Sequence, residues 1–213
     1  MPERSLTLYL YLSALFVAAL VAANVVASKI IMIGGLVVPA GVLAYSITFA
    51  VTDTINEVWG RQRAQTVVKA GIAVQLLVWL LLVLAIAMPA APFWQGQAAF
   101  SAVLGATNRI IFASLVAYLL SQSLDVLIFH RLKELSRDKH LWLRNNLSTF
   151  VSQTLDTVVF IVIAFAGTGQ PLMQLILGQL VVKYAIALLD TPVVYALVWA
   201  VRQRLTAPSP EAA

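Results

Sequence analysis

Five of the nine acidic residues of this chain lie inside stretches that are apolar enough to cross a membrane. These residues are Asp53, Glu57, Asp125, Asp156 and Asp190. Placing a carboxylate in hydrocarbon costs about 2.5–3.5 kcal/mol on insertion scales, so such residues almost always face a polar interior that several helices share. The pattern therefore predicts a helical membrane protein with a ligand or ion path through its interior.

Composition excludes an ordinary soluble domain. The 213 residues are 61% hydrophobic and 11% charged, with a mean hydropathy of +0.91, whereas soluble domains carry about 25% charged residues. The chain has no cysteine, which excludes disulfides and thiolate metal sites, and neither a metal nor a cofactor is predicted. The net charge of +5 comes from basic residues beside the apolar stretches, where lipid headgroups and not nucleic acid are the expected partner.

The apolar stretches predict an all-α integral membrane protein with six transmembrane helices, because a helical span needs about 20 mostly apolar residues. The predicted spans are residues 6–31, 36–57, 67–88, 109–129, 146–166 and 172–200. We expect one domain over residues 1–205, a first span that is retained and not cleaved as a signal peptide, and a disordered tail at 206–213. Pro39 and Gly41 interrupt the second span, which predicts a re-entrant or unwound piece there. The third span carries few polar residues and is predicted to face lipid.

The placement of lysine and arginine predicts that both termini are cytoplasmic. With this orientation, 11 of the 14 basic residues fall in cytoplasmic segments, as the positive-inside rule requires. The chain is therefore expected to be a multi-pass protein of the cell inner membrane. A six-helix protein this small often gains stability by dimerising, so a homodimer is one expectation for its assembly.

The fourth and fifth spans carry similar sequences. Residues 121–129 and 152–160 are identical at five of nine positions, and Thr48-Phe49 in the second span matches Thr149-Phe150 in the fifth. Two three-helix halves with matching central helices predict a 3+3 inverted repeat, which is a common transporter layout with the site at the repeat interface. The alternative is that polar patches in small membrane proteins resemble one another by chance.

The repeated segments place three functional groups on one helix face. The i, i+3, i+7 spacing aligns Gln122, Asp125 and Phe129 in the fourth span, and it aligns Gln153, Asp156 and Phe160 in the fifth. Amides and carboxylates bind N–H donors, and aromatic rings stack on flat bases. The six residues therefore predict a site for a flat heterocycle, with structural bridging between helices as the alternative.

Charged residues in the remaining spans either form structural ion pairs or couple transport to an ion. Glu57 is expected to pair with Arg61 one turn along, or to take part in coupling to an ion. Lys183 needs a carboxylate partner, which Asp190 or Asp156 can provide. If transport is coupled to protons, Asp53 and Asp190 are the predicted carriers; the alternative is passive transport.

Two longer stretches of sequence resemble motifs of a known protein family. They are Thr52-Asp53-Thr54-Ile55-Asn56-Glu57-Val58-Trp59-Gly60, and Arg144-Asn145-Asn146 followed by Ser148-Thr149, Ser152-Gln153 and Asp156-Thr157. With Asn24, Ser28 and Lys29 in the first span, they resemble the queuosine precursor transporter family of the vitamin uptake transporter group. The resemblance implies an importer, and not an enzyme, for 7-cyano-7-deazaguanine or 7-aminomethyl-7-deazaguanine, which supply tRNA queuosine. Asn24, Asp53 and Asn146 are included in the predicted substrate-binding set.

Two other functions compete with this one. The chain has the size and span number of a substrate-binding membrane subunit in an ATP-driven vitamin importer, although it has no P-loop of its own. A membrane-embedded hydrolase is the other alternative, with Asp125 and Asp156 sharing a proton as a catalytic dyad. Uptake by the chain alone would distinguish a self-sufficient transporter from a subunit of an ATP-driven importer. Analysis of the products that the purified protein forms from candidate substrates would distinguish a transporter from a hydrolase.

Overall fold

The structure is a computed structural model that describes residues 3–135 and 141–206. The described chain forms six helices and one β-hairpin. The helices are α1 (Glu3–Val26), α2 (Gly41–Trp59), α3 (Arg61–Ala87), α4 (Gln97–Leu135), α5 (Leu141–Phe165) and α6 (Leu172–Thr206), and the hairpin strands are β1 (Ile30–Ile33) and β2 (Leu36–Pro39). Residues 207–213 of the predicted tail lie outside the described residues.

Three helical segments of the described chain are long and apolar enough to cross a membrane: α1, α3 and the part of α4 from Gln97 to Leu124. Shorter apolar segments occupy Phe150–Phe165 of α5 and Leu172–Ile186 of α6. The prediction of a mainly helical membrane protein is confirmed. The count of six spans and the sidedness of the termini stay predictions.

A β-hairpin lies where the first predicted span ends and the second predicted span begins. Ile30 pairs with Pro39 and Ile33 with Leu36. Gly34 and Gly35 form the turn with φ values of 55° and 84°, which match the type I′ turn that connects twisted strands. The predicted spans 6–31 and 36–57 are therefore wrong where they enter this segment. The expectation of non-helical backbone near Pro39 is correct, and α2 begins at Gly41.

The hairpin is held against the last helix. Val38 is fully buried, and the backbone of Val37 lies so close to Gly178 of α6 that a Cβ at this glycine would clash with it. The absence of a side chain at Gly178 is what allows this close approach.

The fourth helix begins 12 residues before the predicted boundary at residue 109. The polar pair Asn108-Arg109 looked like a membrane edge in the sequence. In the structure Arg109 lies within α4, and its Nε and Nη2 donate hydrogen bonds of 2.6 Å each to the carbonyl oxygens of Ile163 and Ala166. Arg109 therefore satisfies the carbonyl groups at the C-terminal end of α5, which have no partner within their own helix.

Two apolar clusters form the core, one for each half of the chain. The first joins α1, α2 and α3 through Tyr9, Phe16, Val51, Ile55 and Val67. The second is built mainly by α4, α5 and α6, with Ile110, Ala113, Ile161, Phe165 and Leu175 among its members. This division follows the two halves of the predicted inverted repeat, although the symmetry itself stays a prediction.

Candidate functional site

Residues from all six helices line a cavity of about 380 Å³. Its wall combines aromatic rings, hydroxyl groups and amides with one pair of opposite charges. The lining residues on which the argument depends are Tyr45, Phe49, Gln75, Ser114, Gln122, Gln153, Asp156, Phe160, Gln179 and Lys183. A concave site with a mostly apolar wall and a few convergent polar groups is typical of small-molecule binding.

The charged pair in this cavity links α5 to α6. Lys183 Nζ donates to Asp156 Oδ2 at 2.8 Å and to Thr157 Oγ1 at 3.1 Å. The Lys183 side chain is 11% exposed and that of Asp156 is 30% exposed. Of the two predicted partners of Lys183, Asp156 is confirmed, and the side chain of Asp190 lies outside the described residues. Asp156 and Lys183 both line the cavity, so a carboxylate acceptor and an ammonium donor lie side by side in its wall.

Four of the predicted stripe residues line the cavity: Gln122, Gln153, Asp156 and Phe160. Phe160 is buried and packs edge-to-face against Phe165, with ring centroids 6.3 Å apart. This contact fixes the ring orientation in the wall. The predictions for Asp125, Phe129, Asn146 and Asp190 lie outside the side chains that the structure describes.

Asn24 is buried beside the cavity and does not line it. Its Nδ2 donates to the carbonyl oxygen of Leu20 at 3.2 Å, which is one turn back in the same helix. The amide nitrogen of Asn24, which was predicted to bind substrate, is therefore bonded within α1.

A second cavity of about 580 Å³ adjoins the first, since Phe49, Gln153 and Lys183 line both. Asp53, Asn56 and Glu57 of α2 face Tyr195 and Arg202 of α6 across this second space. Asp53 and Glu57 are thus near a solvent-accessible space but outside the first cavity.

The predicted pairing of Glu57 with Arg61 is wrong. Glu57 Oε1 accepts a hydrogen bond of 2.9 Å from Arg202 Nη2, which lies 145 residues away in the chain. Both side chains are more than half exposed. Helical spacing predicted Arg61, one turn along α2, as the partner of Glu57. The packing of α2 against α6 instead places Arg202 next to Glu57.

Several cavity residues were missed by the sequence analysis. The prediction that the third span faces lipid is wrong for one face of α3, because Val68, Ile72 and Gln75 line the cavity. Gln75 was the detectable signal, since an uncharged polar residue in an apolar helix often faces a protein interior. The hydrogen bond of 2.9 Å between the Tyr45 hydroxyl and Ser114 Oγ had no signal, because it joins helices 69 residues apart.

Comparison with known proteins shows the family. Residues 39–197 match the family model described as "Putative vitamin uptake transporter". The "Probable queuosine precursor transporter" of Bacillus subtilis (strain 168) is 30% identical over 181 residues, which is 84% of this chain and 79% of that protein. The chain belongs to the queuosine precursor transporter family.

Two further members of this family match over shorter segments. The "Queuosine precursor transporter" of Escherichia coli (strain K12) is 30% identical over 59% of this chain and 54% of that protein. The "Probable queuosine precursor transporter" of Haemophilus influenzae (strain ATCC 51907 / DSM 11121 / KW20 / Rd) is 29% identical over 62% of this chain and 54% of that protein. No solved structure is significantly similar to the chain.

Family membership settles the general role. The chain is a transporter and not an enzyme, and it is a multi-pass protein of the inner membrane. The alternative of a hydrolase with an Asp125–Asp156 dyad is therefore set aside.

Proposed function

We propose that this transporter imports a queuosine precursor, 7-cyano-7-deazaguanine or 7-aminomethyl-7-deazaguanine, for tRNA modification. The observation that carries the proposal is the 380 Å³ cavity, in which amides, an ion pair and aromatic rings converge from six helices. Three relatives are named as known or probable transporters of queuosine precursors.

The size and chemistry of the cavity fit a deazaguanine. Small-molecule sites measure roughly 300–1,000 Å³, so a 380 Å³ cavity suits a small bicyclic ring system. A guanine-like edge carries a carbonyl acceptor next to N–H donors. The Lys183–Asp156 pair offers a donor and an acceptor side by side, and the rings of Phe160 and Phe49 offer flat apolar surfaces to the bicycle.

The second cavity extends this site toward the end of α2 that carries Glu57. We propose that this space is the cytoplasmic part of the path, in a protein with six spans and both termini inside. The chain has no cysteine, so single cysteines can be introduced directly at Gln62 and Phe93. In intact cells, a membrane-impermeant maleimide should label the Phe93→Cys variant and spare the Gln62→Cys variant. Labelling of both from outside would contradict the topology.

Uptake by the purified chain in proteoliposomes tests the function itself. Labelled 7-cyano-7-deazaguanine should enter without ATP or any other protein, which would separate an autonomous transporter from a subunit of an ATP-driven importer. Asp156→Asn removes one charge-assisted bond and should weaken substrate affinity roughly 10- to 150-fold. Glu3→Gln is the matched control, since it makes the same change in an exposed residue outside both cavities.

The same liposomes test the mode of transport. Asp53 lines the second cavity, and it is the described carboxylate that we propose for proton coupling. An inward proton gradient without membrane potential should then drive the internal concentration of precursor above the external one. If the uptake rate does not depend on the proton gradient, transport is passive. Asp53 then has a structural or substrate-contacting role.

A further inference from the structure

Two buried amide oxygens in the cavity lack a hydrogen-bond partner. Among the residues that the structure describes, Gln75 Oε1 on α3 and Gln179 Oε1 on α6 accept no hydrogen bond. Both residues line the 380 Å³ cavity, and they are only 3% and 7% exposed. Buried polar atoms are nearly always paired in folded proteins, so an unpaired acceptor at a cavity wall requires an explanation.

The orientation of the Gln75 amide follows from its other contact. Its Nε2 group points to the carbonyl oxygen of Leu20 at 3.4 Å. Exchanging the oxygen and nitrogen of the amide would place two acceptors against each other. The Leu20 carbonyl therefore directs Nε2 toward α1 and leaves Oε1 as the free acceptor.

The charge balance of the cavity indicates what these oxygens accept from. Of the described residues that line it, the charged ones are Asp156 and Lys183, which neutralise each other at 2.8 Å. Because the described charges of the wall cancel, the spare amide oxygens favour an uncharged ligand that brings N–H donors of its own. A water molecule offers donors as well, but a transported base with several N–H groups can supply donors to such oxygens during binding.

We propose that Gln75 and Gln179 are substrate-binding residues whose amide oxygens accept hydrogen bonds from N–H groups of a neutral deazaguanine. This inference rests on the proposed function, and it adds α3 to a site that the repeated stripes had placed on α4 and α5. Because the two glutamines accept hydrogen bonds from donor groups of the ring, they determine specificity for a guanine-like base over rings with fewer N–H groups.

Binding and stability measured together on the purified protein in detergent test the proposal. Methionine is unbranched and similar in length to glutamine, so Gln75→Met and Gln179→Met remove the acceptor and keep most of the packing. Affinity for 7-cyano-7-deazaguanine should fall about tenfold in each variant. The melting temperature without ligand should stay equal or rise, because the substitution removes an unpaired buried polar atom.

Two altered ligands make the test specific. One lacks the exocyclic amino group (7-cyano-7-deazahypoxanthine), and the other has a methyl group on the five-ring nitrogen. If a glutamine accepts from one of these N–H groups, the wild-type protein and that glutamine variant should bind the corresponding altered ligand with affinities within about twofold. Gln65→Met is the matched control, since Gln65 is exposed on the same helix and lines neither cavity.

The possible failures are distinguishable. If the wild-type protein binds neither 7-cyano-7-deazaguanine nor 7-aminomethyl-7-deazaguanine, both the proposed function and this inference are overturned. If it binds only the cationic aminomethyl compound, the proposed function stands and this inference fails. If the wild type binds 7-cyano-7-deazaguanine and the glutamine variants keep full affinity, the oxygens hold water or nothing, and only this inference fails. A lowered melting temperature with the same loss of affinity for all three ligands would assign a structural role and would also overturn it.

Discussion

The last helix, α6, carries two ion pairs of nearly equal length in very different surroundings. Lys183 reaches Asp156 at 2.8 Å inside the bundle, where the two side chains are 11% and 30% exposed. Arg202 reaches Glu57 at 2.9 Å, where the exposed fractions are 58% and 60%. Distance alone would rate the two pairs as equivalent.

Burial makes the inner pair far more sensitive to disruption than the outer one. In a low-dielectric interior the attraction between charges is strong, but a single charge left without its partner is very unfavourable. Exposed pairs compete with water and salt, and most are worth about 0–1 kcal/mol. The inner pair therefore has a role in the site, and the outer pair is at most a weak link between α2 and α6.

Removing Lys183 should have the largest effect. Lys183→Met leaves Asp156 without its partner, and breaking a buried pair in this way costs about 3–5 kcal/mol. We expect a large drop in melting temperature in detergent, together with loss of substrate binding. The double variant Lys183→Met/Asp156→Asn removes both charges and should recover most of the lost stability without recovering binding. If the single variant melts like the wild-type protein, burial does not distinguish the two pairs.

Arg109 tests whether a half-buried cation needs a carboxylate partner at all. Its guanidinium is bonded to two carbonyl oxygens at the end of α5, and hydrogen bonds to charged groups contribute about 1.5–3 kcal/mol. Arg109→Met should therefore lower the melting temperature less than Lys183→Met does. Since Arg109 does not line either cavity, the folded variant should keep its substrate affinity. A loss of affinity at unchanged stability would show that this end of α5 belongs to the transport path.

The outer pair should give the smallest effect. Glu57→Gln and Arg202→Gln should each change the free energy of unfolding by less than about 1 kcal/mol. Their coupling in a double-mutant cycle should shrink between roughly 0.05 M and 0.5 M NaCl, because salt screens exposed charges. The inner pair serves as the comparison, and its coupling should be nearly independent of salt. A large, salt-independent coupling between Glu57 and Arg202 would mean that the second cavity closes around them during transport.

Helical periodicity accounts for the part of the site that was predicted correctly. Gln153, Asp156 and Phe160 share one face because a helix repeats every 3.6 residues, and all three line the cavity. The same rule cannot locate the hairpin. The apolar residues on either side of Gly34 and Gly35 resemble a membrane span in composition, and short apolar runs do not distinguish strand from helix.

The sequence by itself determined the protein class, the approximate positions of the helices and the family, because these depend on composition, on periodicity and on strings of adjacent residues. Tertiary structure alone decided which charges pair and which amides face the cavity. Lys183 finds Asp156 27 residues away and Arg202 finds Glu57 145 residues away, and Gln75 enters the site only because α3 packs with one face toward it. Contacts of this kind depend on how helices pack against one another, which local sequence patterns do not encode.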